Sequence, residues 1–144
     1  MYKNFRLSLL CFLLIFLCSC SFFSGIRRSA ALEVDIESSC VELAILSVPG
    51  VTGLEITSDK RNNSLYRFFS YSYQKLPAYI GLENGKDIRY WHSFGYINQS
   101  ASGDDIKVIK PIMKLIDQRV SSMCGVHEFA KTIKEKCYKV KCKI

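Results

Sequence analysis

The sequence predicts an α+β fold, a two-layer sandwich in which a four-stranded antiparallel sheet carries two antiparallel helices on one face, followed by a short C-terminal helix and an extended tail. Two segments, one on either side of residues 51–97, have apolar residues at helical spacing. Residues 51–97 alternate between apolar and polar side chains and contain short turn sequences, which is typical of strands joined by tight connections. Because a tight turn reverses the chain, four such strands between two helices make the helices antiparallel as well.

The first helix is predicted over Asp35–Val48. Ser39 and Glu42 have the spacing of a capping box, and Pro49 with Gly50 ends the helix. The positions that recur at helical spacing are Ile36, Cys40, Leu43, Ala44 and Ser47.

Four strands are predicted next, over Val51–Thr57, Leu65–Gln74, Ala78–Leu82 and Asp87–Ile97. Their aromatic content favours strand over helix. Residues 61–64 form the first turn, and the Asn-Gly dipeptide at residues 84–85 strongly favours a hairpin between the last two strands.

The second helix is predicted from the cap pair Ser102 and Asp105 to Gly125, where glycine favours helix termination. One apolar stripe runs along it, formed by Ile106, Ile109, Met113, Ile116, Val120 and Met123. Pro111 leaves two alternatives open, since the helix either continues through the proline with a kink or begins there.

A third, short helix is predicted from the spacing of Val126, Phe129, Ala130, Ile133 and Cys137. After it, Val140, Cys142 and Ile144 alternate with lysines, which predicts an extended tail.

The amino terminus has the organisation of a secretory signal. Lys3 and Arg6 precede an apolar stretch, Leu7–Leu17, and a small residue comes just before Cys20. Serines and a glycine interrupt the uncharged run that follows, whereas a membrane-spanning helix needs about 20 apolar residues. A cleaved signal is therefore favoured over a permanent span.

The end of this segment, Leu17, Cys18, Ser19 and Cys20, resembles the lipobox of bacterial lipoproteins. The resemblance implies that residues 1–19 are a lipoprotein signal peptide and that Cys20 becomes the first mature residue, with covalent lipid on its sulfur and its amino group. Ser21 stands where aspartate would retain the protein in the inner membrane, so the resemblance implies the outer membrane, on the periplasmic leaflet.

Residues 20–31 include small, polar and basic residues and predict a lipidated tether, while residues 32–144 are enough for a single α+β domain.

The signal peptide contains Lys3 and Arg6, which are two of the 20 basic residues. The remaining 18 basic and 13 acidic residues give a net charge of +5. Six lysines lie between Lys131 and Lys143. They form either a solvated face or a basic patch for acidic headgroups or anionic wall polymer. Nucleic acid is not expected as a partner of an envelope protein.

The cysteines divide by compartment. Two leave with the signal peptide and Cys20 is acylated, so that Cys40, Cys124, Cys137 and Cys142 remain as an even set in an oxidising environment. Four thiolates could also bind zinc, but the chain has no closely spaced CxxC pair. Two structural disulfides are therefore predicted.

The antiparallel helices favour one pairing of these cysteines. The start of the first helix lies beside the end of the second, which predicts a Cys40–Cys124 bond and leaves Cys137 with Cys142. If the tail folds back, the alternative is Cys40 with Cys137 and Cys124 with Cys142. Within one continuous helical stretch, Cys124 and Cys137 are too far apart to pair.

The chain has no sequence motif of a known catalytic or nucleotide site. Its two histidines, His92 and His127, have no partner at metal-binding spacing. We expect no enzyme activity, no metal and no cofactor apart from the lipid on Cys20.

Aromatic residues are concentrated in the predicted strands, ten of the eighteen lying between Tyr66 and Tyr96. Because strand side chains alternate, one set faces the helices while Tyr66, Phe68, Arg89 and Trp91 face the other way. This second set is a candidate binding face, unless another part of the chain covers it.

These observations predict a membrane-anchored envelope lipoprotein whose domain is a non-catalytic binding or assembly module for an envelope protein or a glycan. Two alternatives are a small periplasmic enzyme with His92 in its site and a spacer that binds the cell wall through its lysine-rich C-terminus.

Overall fold

The computed structural model describes residues 22–126 and 129–140, and for Ala130 and Lys131 it describes the backbone only. It is an α+β structure in which helices pack on one face of an antiparallel sheet with strand order β2-β3-β4-β5-β1-β6. The elements are β1 (Phe23–Leu32), α1 (Ser38–Leu46), β2 (Val51–Arg61), β3 (Ser64–Tyr73), β4 (Leu76–Asn84), β5 (Ile88–Ile97), α2 (Gly103–Met123), α3 (Phe129–Thr132) and β6 (Lys134–Tyr138).

The core lies between the sheet and the helices. Alternate residues of the central strands are buried, such as Phe69 and Tyr71 on β3 and Ile80 and Leu82 on β4. They belong to one apolar cluster with the buried stripe of α2. The opposite face of the sheet is called the outer face below.

The predicted four-stranded sheet is wrong in number, because the sheet has six strands. The tether predicted for residues 20–31 is wrong from Phe23 onward, since Phe23–Leu32 is strand β1 and pairs with β5 along its whole length. Its inward positions include Ser24 and Arg28, which are buried. These polar residues conceal the alternation that marks a strand, so the folded domain begins earlier than the predicted residue 32.

The sixth strand replaces most of the predicted third helix. Among the described residues of that segment only Phe129–Thr132 is helical, and Lys134–Tyr138 forms β6 beside β1. Strand β1 offers backbone groups on the edge away from β5, and β6 satisfies them. His127, Glu128 and residues 141–144, which include most of the predicted tail, lie outside the described residues.

The four predicted strands are confirmed as β2 to β5. Strands β2 and β4 are longer than predicted, β3 is shifted by one residue, and β5 begins one residue later. Asn62 and Asn63 have φ of 46° and 65° in the turn predicted before β3. The turn before β4 uses Gln74 and Lys75, with φ of 50° and 68°. Glutamine and lysine are not residues that favour a left-handed conformation. The sequence therefore predicts a short connection here but not this type of turn.

Helix α1 begins without the predicted capping box. Glu37 is the N-cap and makes no side-chain capping bond, and Ser39 already lies inside the first turn. The carboxylate of Asp35 instead accepts a bond from the N–H of Ile36 and pairs with Arg67.

Helix α2 begins with the predicted capping box between Ser102 and Asp105. It continues through Pro111, so the alternative start at Pro111 is wrong. Pro111 is exposed, and water can therefore bond the carbonyl that loses its partner. The predicted stripe is buried except for Met123, which is 45% exposed at the last position of the helix. Among the described residues, no helix has the length and apolar character needed to cross a membrane.

The structure contains the predicted Cys40–Cys124 disulfide, with Cα atoms 5.6 Å apart. It joins the first turn of α1 to the residue after α2, as expected for antiparallel helices. This bond excludes the alternative pairing of Cys40 with Cys137. Cys137 is disulfide-bonded as well, and its predicted partner, Cys142, lies outside the described residues.

Replacing Cys40 and Cys124 together by alanine should lower the free energy of unfolding by about 4–5 kcal/mol, because the bond closes a long loop in the unfolded chain. Urea unfolding of the oxidised protein measures this difference. Ser39→Ala with Ser122→Ala, at the same helix ends, is the matched control and should change little. A loss below about 1 kcal/mol in the cysteine variant would contradict the entropic role of the bond.

Candidate binding face

The structure brings the four residues of the predicted face together on the outer face of the sheet. Phe68 lies opposite Gly81, which lies opposite Trp91, so one row crosses β3, β4 and β5. The next row contains Tyr66, Glu83 and Arg89 in the same way. The residues between them along each strand point to the buried core, as alternation requires.

Trp91 is held flat against the sheet by a glycine. A Cβ atom at position 81 would lie 2.0 Å from Cε2 of the indole, so the ring occupies the space that any side chain there would take. The Phe68 ring meets the indole edge to face, with centroids 5.9 Å apart. Trp91 remains half-buried, with part of its surface open to solvent.

Tyr66, two residues before Phe68 on β3, adds a third ring to Phe68 and Trp91. Its ring stacks on Phe68 with centroids 6.3 Å apart and an interplanar angle of 7°. Its hydroxyl donates to Oε1 of Glu83 at 2.9 Å, and this hydrogen bond to a carboxylate raises the pKa of Tyr66. The Tyr66 hydroxyl therefore stays a neutral hydrogen-bond donor, and Glu83 holds it in place at one end of the three rings.

An open groove of about 900 Å³ runs beside Trp91. Residues of β1, β5 and β6 line it, together with Glu33, Glu83 and Thr132. The charged and aromatic residues along it are Arg27, Glu33, Glu83, Arg89, Tyr90, Trp91, Lys134 and Tyr138. Its three basic residues exceed its two acidic ones, and Glu83 already accepts a bond from Tyr66. A ligand that carries negative charge therefore suits the groove.

The C-terminal lysines contribute to the same face. Lys134 and Lys136 of β6 lie opposite Ser29 and Arg27 of β1 and are exposed. Lys139 is exposed as well. The side chain of Lys131, and all of Lys141 and Lys143, lie outside the description. The described lysines are thus solvated, and two of them, Lys134 and Lys136, also extend the outer face beside its aromatic residues.

His92 lies on the opposite face of β5, and none of its surface is exposed. Its Nε2 is 2.7 Å from the Tyr71 hydroxyl, and its Nδ1 is 2.7 Å from Oδ1 of Asp117 on α2. Both ring nitrogens therefore have partners inside the core. In this arrangement the histidine connects the sheet to the helix.

Asp117 is the centre of this buried cluster. Its carboxylate accepts bonds from the Tyr90 hydroxyl at 2.5 Å and from Nε of Arg28 at 2.6 Å. Burial acts to raise the pKa of Asp117, but His92 and the hydrogen bonds from His92, Tyr90 and Arg28 outweigh it, so the pKa lies below its usual value. Burial, and then the Asp117 charge, raise the pKa of Tyr71 and of Tyr90 well above the usual range.

The cluster extends to the surface through Arg28. Its Nη1 donates to Oε2 of Glu135 on β6 at 2.6 Å, and the other oxygen of Glu135 lies 2.7 Å from Nζ of Lys110 on α2. Burial acts to raise the pKa of Glu135, and the bonds from Lys110 and Arg28 lower it further than that, so the net shift is downward. One arginine thus joins β1 to both α2 and β6.

Sequence reasoning missed Arg28 and Asp117. Asp117 has a recognisable signal, since it follows Ile116 and lies on the same side of the helix as Met113 and Val120. A carboxylate on an apolar stripe needs a buried partner. Arg28 had no such signal, because it lay in a segment predicted to be a tether.

The described residues contain no cluster of three or more histidine, cysteine, aspartate or glutamate side chains that could hold a metal ion. Since Cys40 and Cys124 are joined to each other, they are not available as zinc ligands.

Replacing Asp117 by asparagine should lower the free energy of unfolding by about 3–5 kcal/mol, because it removes the charge that compensates buried Arg28. Chemical unfolding at neutral pH measures the loss. Asp104→Asn is the matched control on the same helix, since Asp104 forms an exposed pair with Lys107. Asp104→Asn should lower the free energy of unfolding by less than about 1 kcal/mol. Equal losses in the two variants would show that the buried cluster does not stabilise the fold.

Comparison of the chain with protein-family models, with curated proteins and with solved structures finds no match.

Proposed function

We propose that the protein is a lipid-anchored lipoprotein of the bacterial outer membrane, and that its domain is a non-catalytic module that binds an envelope protein or a glycan on the outer face. One observation carries the binding role. The aromatic rings of Tyr66, Phe68 and Trp91 remain partly open to solvent, beside a groove lined by three basic and two acidic residues.

The exposed apolar surface supports this role. Phe68 is 37% exposed and Tyr79, on the same face of β4, is 46% exposed. No described element packs over this side of the sheet, whereas the helices cover the other side. Contiguous exposed aromatic surface rimmed by polar groups is typical of an interaction site.

The chemistry of the face indicates which ligands fit. A flat indole beside further aromatic rings offers a surface on which sugar rings or apolar side chains can lie. Arg27 and Arg89 supply planar guanidinium groups that bind carboxylates or phosphates through two hydrogen bonds. An acidic protein segment or an anionic glycan meets both requirements.

The lipid anchor is supported by the lipobox-like residues before Cys20 and by the position of β1. Only Ser21 and Phe22 separate Cys20 from the first strand. A lipid on Cys20 would hold the domain against the bilayer, and several acyl chains on one residue give stable anchoring.

The alternative of an enzyme centred on His92 has little support in the geometry. A catalytic base must reach a substrate, and His92 is fully buried with both ring nitrogens occupied. The alternative of a wall-binding spacer has a specific observation in its favour, because Lys134 and Lys136 lie exposed on the outer face.

Affinity capture from detergent-solubilised envelopes tests the binding face. Phe68→Ala and Arg89→Gln should each reduce capture of the bound partner about tenfold, as is typical when an interface anchor of about 1.4 kcal/mol is lost. Leu43→Ala is the matched control, because Leu43 is 58% exposed on α1 and belongs to the helical layer. It should leave capture unchanged.

Pull-down with isolated peptidoglycan, at low and high salt, separates the spacer alternative. Retention that falls with salt, and falls in Lys134→Gln with Lys136→Gln but not in Phe68→Ala, would favour a wall-binding spacer. Capture that is equal in Phe68→Ala, Arg89→Gln and Leu43→Ala would contradict the binding face. Thermal unfolding of each variant verifies that it remains folded.

A further inference from the structure

The end of the sheet at which β1 begins is called the anchor end here. Phe22, the residue before β1, is fixed in place by Asn98. The Phe22 N–H donates to Oδ1 of Asn98 at 3.0 Å, and the Asn98 N–H donates to the Phe22 carbonyl at 2.8 Å. Phe23 then pairs with Ile97 at the end of β5. The chain is therefore held by the sheet from Phe22 onward.

Aromatic rings and cations alternate at the anchor end. Phe23 meets Tyr138 edge to face with centroids 5.5 Å apart, and the Arg27 guanidinium lies 5.8 Å and 6.0 Å from these two rings. Lys136 lies 5.2 Å from the Tyr138 ring and Lys139 lies 4.0 Å from the Phe22 ring. The start of β1 with the residue before it, and the end of β6 with the residue after it, thus form one surface.

This surface is open to solvent and basic. Ile97 is 71% exposed, and Arg27, Lys136 and Lys139 are exposed as well. Glu135 on β6 is paired with Arg28 and Lys110. The first turn of α2 also carries carboxylates, and the residue Ala101 just before this helix is bonded to Ser24 of β1. Asp105 is engaged in the capping box with Ser102, and Asp104 pairs with Lys107. The positive charge of β6 and its neighbours is therefore not cancelled by these carboxylates.

The anchor end has little freedom to leave the membrane if Cys20 carries lipid. From Cys20 to Phe23 the chain advances three residues. Three extended residues span at most about 11 Å. Aromatic rings favour the membrane–water interface, and lysine and arginine favour anionic headgroups.

We propose that the anchor end docks onto an anionic bilayer surface, with Phe22, Phe23 and Tyr138 at the interface and Arg27, Lys136 and Lys139 against the headgroups. The docking rests on the lipid anchor of the proposed function. It orients the sheet with its strands rising from the membrane. Trp91 lies six residues along β5 from Ile97, which places the binding groove about 20 Å above the anchor end.

Fluorescence quenching by brominated lipid tests this orientation. The chain has a single tryptophan, Trp91, so the wild-type protein reports on the groove. A Tyr138→Trp, Trp91→Phe variant reports on the anchor end, and Phe22→Trp with Trp91→Phe is a second reporter. Each protein is extracted from bacterial membranes and reconstituted into phosphatidylcholine vesicles, with or without phosphatidylglycerol, whose acyl chains are brominated close to the headgroup.

We expect strong quenching of both anchor-end reporters in the vesicles with phosphatidylglycerol and little quenching of Trp91. Each lysine near an anionic surface raises the ratio of docked to undocked protein about fivefold, so Lys136→Gln with Lys139→Gln should lower that ratio about thirtyfold. Lys60→Gln with Lys114→Gln removes the same charge from exposed positions elsewhere and should have a much smaller effect.

Quenching that is equal for Trp91 and the anchor-end reporters, or that does not depend on phosphatidylglycerol, would overturn the docking. So would equal effects of the two lysine pairs. The intact mass of the same samples reports acylation of Cys20 separately. An unacylated protein would refute the anchor, whereas an acylated protein without selective quenching would refute only the docking.

Discussion

Strand β1 is the element on which the rest of the structure depends. It lies between β5 and β6 in the sheet, so β6 has no place in the fold unless β1 is already paired with β5. Its inward residue Arg28 reaches Asp117 on α2 and Glu135 on β6. A single strand therefore holds together the two ends of the chain and the two layers.

The buried cluster around Asp117 makes this arrangement specific. Removing an arginine and an aspartate from water costs several kcal/mol, and only close geometry with further hydrogen bonds offsets the cost. Here Tyr90 and His92 of β5 supply hydrogen bonds to Asp117, and Glu135 supplies a second carboxylate for Arg28. A slip of β1 by one residue would turn Arg28 to the outer face. In one direction Ser29 would take its inward position and leave Asp117 buried without a cation, and in the other Arg27 would take it. In both directions the buried Ile26 would also turn outward. The cluster and the apolar inward residues of β1 thus determine its register together, and His92 contributes to that structural role.

The sequence predicted the parts of the fold whose local chemistry agrees with their environment. The strands β2 to β5, the capping box of α2 and the Cys40–Cys124 bond follow from alternation, cap residues and chain reversal. Strand β1 and strand β6 could not be predicted in this way. Their inward positions include Arg28 and Glu135, and a pattern of apolar alternation cannot identify charged residues that face inward because they pair with each other.

Strand alternation predicts only part of the candidate site. The outward direction of Tyr66, Phe68, Arg89 and Trp91 follows from strand alternation, and the structure places them in adjacent rows. The groove beside them needed β1 and β6, which contribute Arg27, Lys134 and Tyr138. Local sequence shows neither the groove nor the anchor end, because both are formed by strands that are far apart in the chain.

Strand β1 also determines how close the domain lies to Cys20. A flexible tether of residues 20–31 would allow the domain to move away from a membrane anchor on Cys20, whereas a paired strand does not. Amide hydrogen exchange of residues 25–32 in the membrane-extracted protein tests this most directly. We expect these amides to exchange as slowly as those of β4 and β5, because β1 is hydrogen-bonded to β5 throughout and to β6 over residues 25–29. Exchange of residues 25–32 at the rate of an unstructured chain, with β4 and β5 still protected, would contradict the role of β1 as a paired strand.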